Sequence, residues 1–169
     1  VQDIDKMVFN KALEALSELQ DAGFSIPKIA FNVSAARVHD PEIISAVQGI
    51  KARGTRIAFE LLESILLEDT SALFAQQIKR LKETGVDIEV DDFGSGRASV
   101  IGVLNVSPTT LKLDCQLVLP MFESEMAKNL LKAMIDIGRS LNVRVTAEGV
   151  ETLDHARALC QMGCDTLQG

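Results

Sequence analysis

Two spacings of apolar residues alternate along this chain. Short β-branched stretches with a period of two are separated by longer segments whose apolar positions recur every three or four residues. The first kind predicts strands at 28–33, 56–61, 86–91, 110–113, 143–147 and 164–167. The second predicts helices at about 3–22, 70–84, 122–141 and 152–162, with one more opened by Asp40-Pro41 and ended by Gly54. Asp40 suits the N-cap and Pro41 the first turn of that helix. Gly23 suits a left-handed cap, and Asn142 stands where a capping glycine is usual. Val8, Ala12, Leu16 and Leu19 form the predicted apolar stripe of the first helix; Leu130, Met134, Ile137 and Leu141 form that of the fourth.

Alternation within the strands divides their residues between two faces. Ile29, Phe31, Val33, Ile57, Phe59, Leu61, Val86, Ile88, Val90, Leu111, Leu113, Val143 and Val145 make one apolar face, suited to a cover of helices. The opposite face carries Ala30, Asn32, Ala58, Glu60, Asp91, Thr110, Lys112, Thr146, Glu148, Thr166 and Gln168. It is small below and polar at the end, as in a barrel interior that leads up to a polar mouth. An open doubly wound sheet is apolar on both faces. The expected fold class is therefore α/β, a (β/α)8 TIM-like barrel. The 169 residues form one domain that is short for a closed barrel of about 250. Glu89 and Arg144 break the pattern: both should point inward, as a pair or as part of a network near the site.

The strands end in Asn32, Glu60, Asp91-Asp92, Lys112, Glu148 and Gln168. In an α/β barrel those ends converge on the active site. Carboxylates and an amide oxygen are hard ligands that suit magnesium, manganese or calcium. Adjacent aspartates can bridge or split two ions, an arrangement used for phosphodiester hydrolysis. Lys112 could then orient or deprotonate the attacking water, or stabilise the phosphorane. Each residue also has a structural reading. Asp91-Asp92 is a solvated turn, Glu63 a surface acid, Glu151 a favourable acid near a helix start, and His39 and His155 are surface residues. The series as a whole favours a shared site.

Charge narrows the partners. Lys and Arg number 17 against 24 Asp and Glu, without a basic run, which argues against duplex nucleic acid. Trp and Tyr are absent, so stacking platforms for single strands are reduced to Phe. No apolar run suits a bilayer span, and no segment reads as a signal peptide. Cys115, Cys160 and Cys164 lack zinc spacing and are expected as small core residues in a reducing compartment, the cytoplasm.

The motifs resemble the EAL-domain phosphodiesterases, which hydrolyse cyclic di-GMP to linear pGpG. The matches are Phe31-Asn-Val-Ser34, Phe59-Glu-Leu-Leu-Glu-Ser64, Asp91-Asp-Phe-Gly-Ser-Gly96, Leu111-Lys-Leu-Asp114, Ala147-Glu-Gly-Val-Glu-Thr152 and Cys164-Asp-Thr-Leu-Gln-Gly169, in family order across nearly the whole chain. The resemblance implies that Asn32, Glu60, Asp91 and Glu148 ligate one metal and Asp92 the second. It implies that Lys112 acts on the hydrolytic water, Glu63 holds the loop after Asp92, Glu151 supports the site, and Gln168 contacts substrate or a metal-bound water. Two magnesium or manganese ions, inhibition by calcium, a modified (β/α)8 barrel, a homodimer and an attached sensor or cyclase domain follow as family expectations.

Departures from the family pattern are equally specific. The first family motif, with its metal-binding Glu, is not in the chain, and the last strand and helix lie beyond Gly169. Arg97-Ala-Ser99 replaces a Tyr-Ser-Ser type of segment, Cys115 stands where a basic residue is common, and Glu89 replaces a small residue. These changes bring in a second hypothesis, a receptor that binds cyclic di-GMP without turnover. A third, another barrel metalloenzyme acting on small phosphates, rests on the residue pattern without the resemblance.

Overall fold

The apolar runs become parallel strands with helices between them. The structure, a computed structural model, describes residues 2–50, 54–96 and 100–169. Its packing forms two compact units. The first comprises Val1–Leu61 and Asp69–Ile88; the second comprises Leu62–Glu68 and Glu89–Gly169.

In the first unit, β1 (Lys28–Asn32) pairs in parallel with β2 (Arg56–Leu62), with Asn32 opposite Glu60. Helix α1 (Gln2–Asp21) covers them through Phe9. The Phe9 ring lies 4.6 Å from Phe31 and 6.1 Å from Phe59, in tilted and edge-on arrangements that favour aromatic contact. The buried stripe of α1 therefore runs through Phe9 and Leu16, whereas Val8 and Leu19 are exposed. Leu16 lies on the expected stripe, whereas Phe9 replaces Val8, because apolar residues flank both sides of this face and only packing chooses between them. After β1, Ser34 caps a single turn, α2 (Ala35–Val38), that periodicity does not announce. Asp40 accepts from the Glu42 amide at 2.8 Å and opens α3 (Glu42–Ile50). The expected end of that helix at Gly54 abuts residues 51–53, which lie outside the described residues; Gly54 itself has φ 82°. Helix α5 (Ala72–Glu83) buries Phe74, Ile78 and Leu81. His39 is not a free surface residue: its Nε2 lies 2.6 Å from Asp69 Oδ2, and that bond holds the Asp69 carboxyl below its ordinary range.

In the second unit, four strands run parallel in chain order: β3 (Asp87–Phe93, from Glu89 on), β4 (Thr110–Leu113), β5 (Arg144–Ala147) and β6 (Thr166–Leu167). Val90, Leu111, Leu113 and Val145 are fully buried, as the apolar face requires. Short helices α4 (Ile65–Glu68), α6 (Val100–Val106) and α7 (Cys115–Val118) fill stretches to which the sequence pattern assigns no element. Each is two turns or fewer, too short for a period to register.

Helix α8 (Glu125–Ser140) corrects a second stripe. It buries Leu131, Ile135 and Gly138, while Leu130 is exposed. Gly138 sets this face. A Cβ there would lie 2.3 Å from Val145 Cγ2, so the helix backbone rests directly on β5. Asn142 follows with φ 57°, and Gly163 caps α9 (Leu153–Met162) with φ 91°. His155, expected at the surface, is buried on α9 and stacks on Phe122 at 5.4 Å. The cysteines are not core residues: Cys160 is exposed, Cys115 and Cys164 are half-buried, and all three are free thiols. Cys164 lies at a strand edge, where its thiol donates to the Val145 and Thr166 carbonyls. Among the described residues no helix is long and apolar enough to cross a membrane.

The corrected face of α8 has a direct test. Leu131→Ala should cost about 2–5 kcal/mol in urea unfolding. Leu130→Ala should cost less than about 1 kcal/mol. The phase of the expected stripe would require the reverse order.

Candidate metal and phosphodiester site

An extra residue in β3 builds this site. Val90 pairs with Leu111 and Phe93 with Leu113, so the two residues Asp91 and Asp92 oppose the single Lys112. That two-against-one count is a β-bulge, which bends a strand and re-aims its side chains. Regular alternation would send consecutive aspartates to opposite faces. Asp92 instead takes φ 54°, a left-handed conformation that Asp tolerates better than most residues. The strand consequently continues to Phe93, past its expected end at Asp91.

Three carboxylates meet as a result. Oxygens of Asp91, Asp92 and Glu148 lie within 4.8 Å of one another. Lys112 stands among them, its Nζ 2.9 Å from Asp91 Oδ1 and 2.8 Å from Glu148 Oε1. The Asp91 contact is ionic rather than an aligned hydrogen bond. Lys112 is buried, with Thr146 opposite it on β5. Burial pushes the Asp92 carboxyl up from its ordinary value; Asp91 and Asp114 push it the same way, and Lys112 opposes them. Among the described residues one ammonium, that of Lys112, meets these carboxylates, which leaves a surplus of negative charge on hard oxygen donors. That donor set fits a magnesium, manganese or calcium ion, which would relieve the repulsion.

The neighbouring loops are held by buried polar contacts. Glu63 looked like a surface acid when considered alone; it is 1% exposed. Its Oε2 accepts from the Gly94 and Ser95 amides, each at 3.1 Å, and from Ser95 Oγ at 2.9 Å. The Glu63 amide in turn donates to the Asp91 carbonyl at 3.0 Å. One side chain therefore fixes the loop that follows the two aspartates. Asp114 has no expected role in the sequence reading. It is buried, caps α7 through the Gln116 amide at 2.7 Å, and adds negative charge beside Asp92. An Asp at a strand end directly before a short helix was the available clue. Glu148 is carried by a backbone bond from its amide to the Leu113 carbonyl at 3.1 Å. Gly149 follows with φ 70°, and a Cβ there would lie 2.6 Å from Cys115 Cβ.

The other expected site residues are placed differently. Asn32, at the end of β1, sits opposite Glu60, two residues before the end of β2; Asn32 is exposed and Glu60 half-buried. Glu151 is exposed on the turn before Thr152, the N-cap of α9, and is not one of the clustered carboxylates. Gln168 is exposed, and its amide donates to the Ala147 carbonyl at 2.9 Å. Arg97-Ala-Ser99 lies outside the described residues. Glu89 and Arg144 do not join: Glu89 is buried and accepts from Thr110 Oγ1 at 3.2 Å, while Arg144 is exposed. Burial and the neighbouring carboxylates raise the Cys115 thiol above its ordinary value, which keeps it protonated.

Comparison with known proteins adds to this geometry. The EAL domain family model matches residues 1–169. The oxygen sensor protein DosP of Escherichia coli (strain K12) is 29% identical over 173 residues, covering 100% of this chain and 22% of that protein. The cyclic di-GMP phosphodiesterase PA2567 of Pseudomonas aeruginosa is 33% identical over 146 residues, covering 84% of this chain and 25% of its own length. The chain thus spans about a quarter of the length of these curated relatives. The solved structure of PaMucR phosphodiesterase, a c-di-GMP complex, superposes with TM-score 0.83 at 27% identity, covering 99% of this chain and 69% of that one. A manganese and cyclic di-GMP complex of Klebsiella pneumoniae BlrP1 gives TM-score 0.86 at 22% identity, covering 100% and 44%. The fold class is the expected one: α/β, of the TIM-like barrel type, with six parallel strands among the described residues.

Two outcomes follow from the site. Glu63→Ala should increase hydrogen exchange at the Gly94 and Ser95 amides by about tenfold or more, since each loses its acceptor; unchanged exchange would separate Glu63 from the loop. Asp92→Asn should raise the metal-free melting temperature at neutral pH. The reason is one of sign. A carboxyl raised in the fold contributes stability below its unfolded pKa and loses it as pH rises through the folded one. The advantage of Asn should therefore shrink as pH falls from neutrality through the raised folded pKa, and be gone below the ordinary aspartate value of about 4. Melting curves in EDTA across pH would show it.

Proposed function

This chain belongs to the EAL domain family, and from that premise we propose that it carries the hydrolytic site of a metal-dependent cyclic di-GMP phosphodiesterase yielding linear pGpG. The observation that carries the reading is the bulge, which sets Asp91 and Asp92 side by side against Lys112 and Glu148. Further support comes from relatives named as cyclic di-GMP phosphodiesterases and from a relative solved with c-di-GMP.

Asp91, Asp92 and Glu148 would hold divalent cations, with Asn32 and Glu60 completing the ligand set by the family motif. Bound magnesium or manganese supplies Lewis acidity, acidifying water and neutralising phosphate oxygens. The chain's own residues do the rest. Lys112 ties Asp91 to Glu148 and stands where an ammonium can orient the attacking water or stabilise charge on phosphorus. Glu63 keeps the loop after Asp92 in place, Glu151 would support the site, and Gln168 would contact the substrate or a metal-bound water. Hydrolysis adds one water across one phosphodiester bond and leaves a phosphomonoester and a hydroxyl. Net charge −7 accords with cations between an acidic protein and an anionic dinucleotide. Calcium would bind the same oxygens with a looser geometry and inhibit; a relative has been solved with calcium and cyclic di-GMP. The relatives' names also support an attached sensor or cyclase domain, and we include a homodimer and a cytoplasmic location in the proposal.

The test is cyclic di-GMP turnover by the full-length protein with magnesium or manganese, with EDTA, and alongside ligand binding in calcium. Turnover should require the metal. Lys112→Ala and Glu60→Ala should each lower kcat by about a hundredfold or more. Turnover in EDTA would overturn the proposal. Tight binding without turnover would make the protein a receptor.

A further inference from the structure

The Ser34 hydroxyl joins the N-terminal part of α1 to the chain two residues past Asn32, where β1 ends. We propose that Asp5 is a positioning residue for Asn32: by accepting the Ser34 hydroxyl proton it fixes the turn that carries this ligand. The inference rests on the reading of Asn32 as a metal ligand.

A hydroxyl has a single proton to donate. Ser34 gives it to Asp5 Oδ2 at 2.5 Å. Its lone pairs are then left for the Arg37 amide, which lies 3.3 Å from Ser34 Oγ and shares its proton with the Ser34 carbonyl at 3.0 Å. Asp5 thereby orients the N-cap of α2, the single turn that follows β1. The far end of that turn is tied to the same helix. Arg37 is 5% exposed, pairs with Asp40, and lies over the Phe9 ring at 5.5 Å. Helix α1 thus holds the turn at both ends, through Asp5 and through Phe9.

Asn32 depends on that hold. Among the described residues β1 pairs with β2 alone, and the Val33 amide continues this pairing by donating to the Glu60 carbonyl at 3.0 Å. Asn32 itself is exposed and borders a cavity of about 300 Å3 that Asp5, Phe9 and Arg37 also line. With open space beside it, its place is set by the backbone: by β2 before the turn and by the Ser34 cap after it. What the bond asks of residue 5 is an acceptor rather than a charge. An asparagine amide oxygen would accept from the same hydroxyl in nearly the same volume.

The experiment measures Mn2+ binding to the full-length protein by electron paramagnetic resonance, and hydrogen exchange at the Arg37 amide in EDTA. The variants are Asp5→Ala, Asp5→Asn, Ser34→Ala and Asn32→Ala. Asp5→Ala should speed the exchange about fivefold, as loss of one capping bond does. It should also raise the Mn2+ Kd about tenfold, the low end for a group behind a metal ligand. Asp5→Asn should bring both to within about twofold of wild type, and adding Asp5→Ala to Ser34→Ala should change neither further. Faster exchange with an unaltered Mn2+ Kd would make Asp5 merely structural. An Asp5→Asn Kd as weak as that of Asp5→Ala would make its effect one of charge. Either result, with Asn32→Ala clearly weakened, would overturn this inference and leave the site reading intact. Equal Mn2+ binding by wild type and Asn32→Ala would overturn both.

Discussion

One ammonium set against three carboxylates is the constraint around which the second unit is arranged. Lys112 can be buried because Asp91 and Glu148 stand within 3 Å of its nitrogen. Those carboxylates can crowd together because Lys112 partly offsets their repulsion. The balance remains short of neutral: burial raises the Asp92 carboxyl, Asp91 and Asp114 push it the same way, and Lys112 only opposes them. A site built this way keeps a standing affinity for cations. It also gives up some stability in their absence, which is common where function requires like charges to converge.

Backbone devices make that crowding geometrically available. The bulge places two aspartates where a regular strand could place one. The left-handed Asp92 and Glu63's three accepted hydrogen bonds then fix the direction of the chain as it leaves the sheet. On the other side of β4, Gly149 lets the segment after Glu148 lie directly against Cys115. Underneath, Gly138 brings α8 onto β5 with no side chain between. The site thus stands on closely packed backbone rather than on long flexible side chains. That close packing holds several charged groups in register.

The departures from the family pattern fall into two physical kinds. Cys115 changes what the mouth of the site presents: a protonated thiol in place of a cation. Glu89 changes what lies beneath it: a buried acid tied to Thr110 stands in place of a small residue.

Much of this was legible in the order of residues. Strand alternation separated the apolar face from the polar one, and the recurrence of acids and amides at strand ends pointed to a shared site. Both follow from local geometry: a strand has a period of two, and its end is set by the residues beside it. The tertiary structure decided the remainder. Only packing could choose Phe9 over Val8 and Leu131 over Leu130, because apolar residues occur on both sides of each stripe and the partner surface selects among them. Only strand pairing could show the bulge, since a two-against-one register is a relation between Asp91-Asp92 and Lys112 rather than a property of either segment. Glu63 was misread in isolation for the same reason. Its burial and its three donors come from a loop some thirty residues away, and no local pattern encodes a contact across that distance.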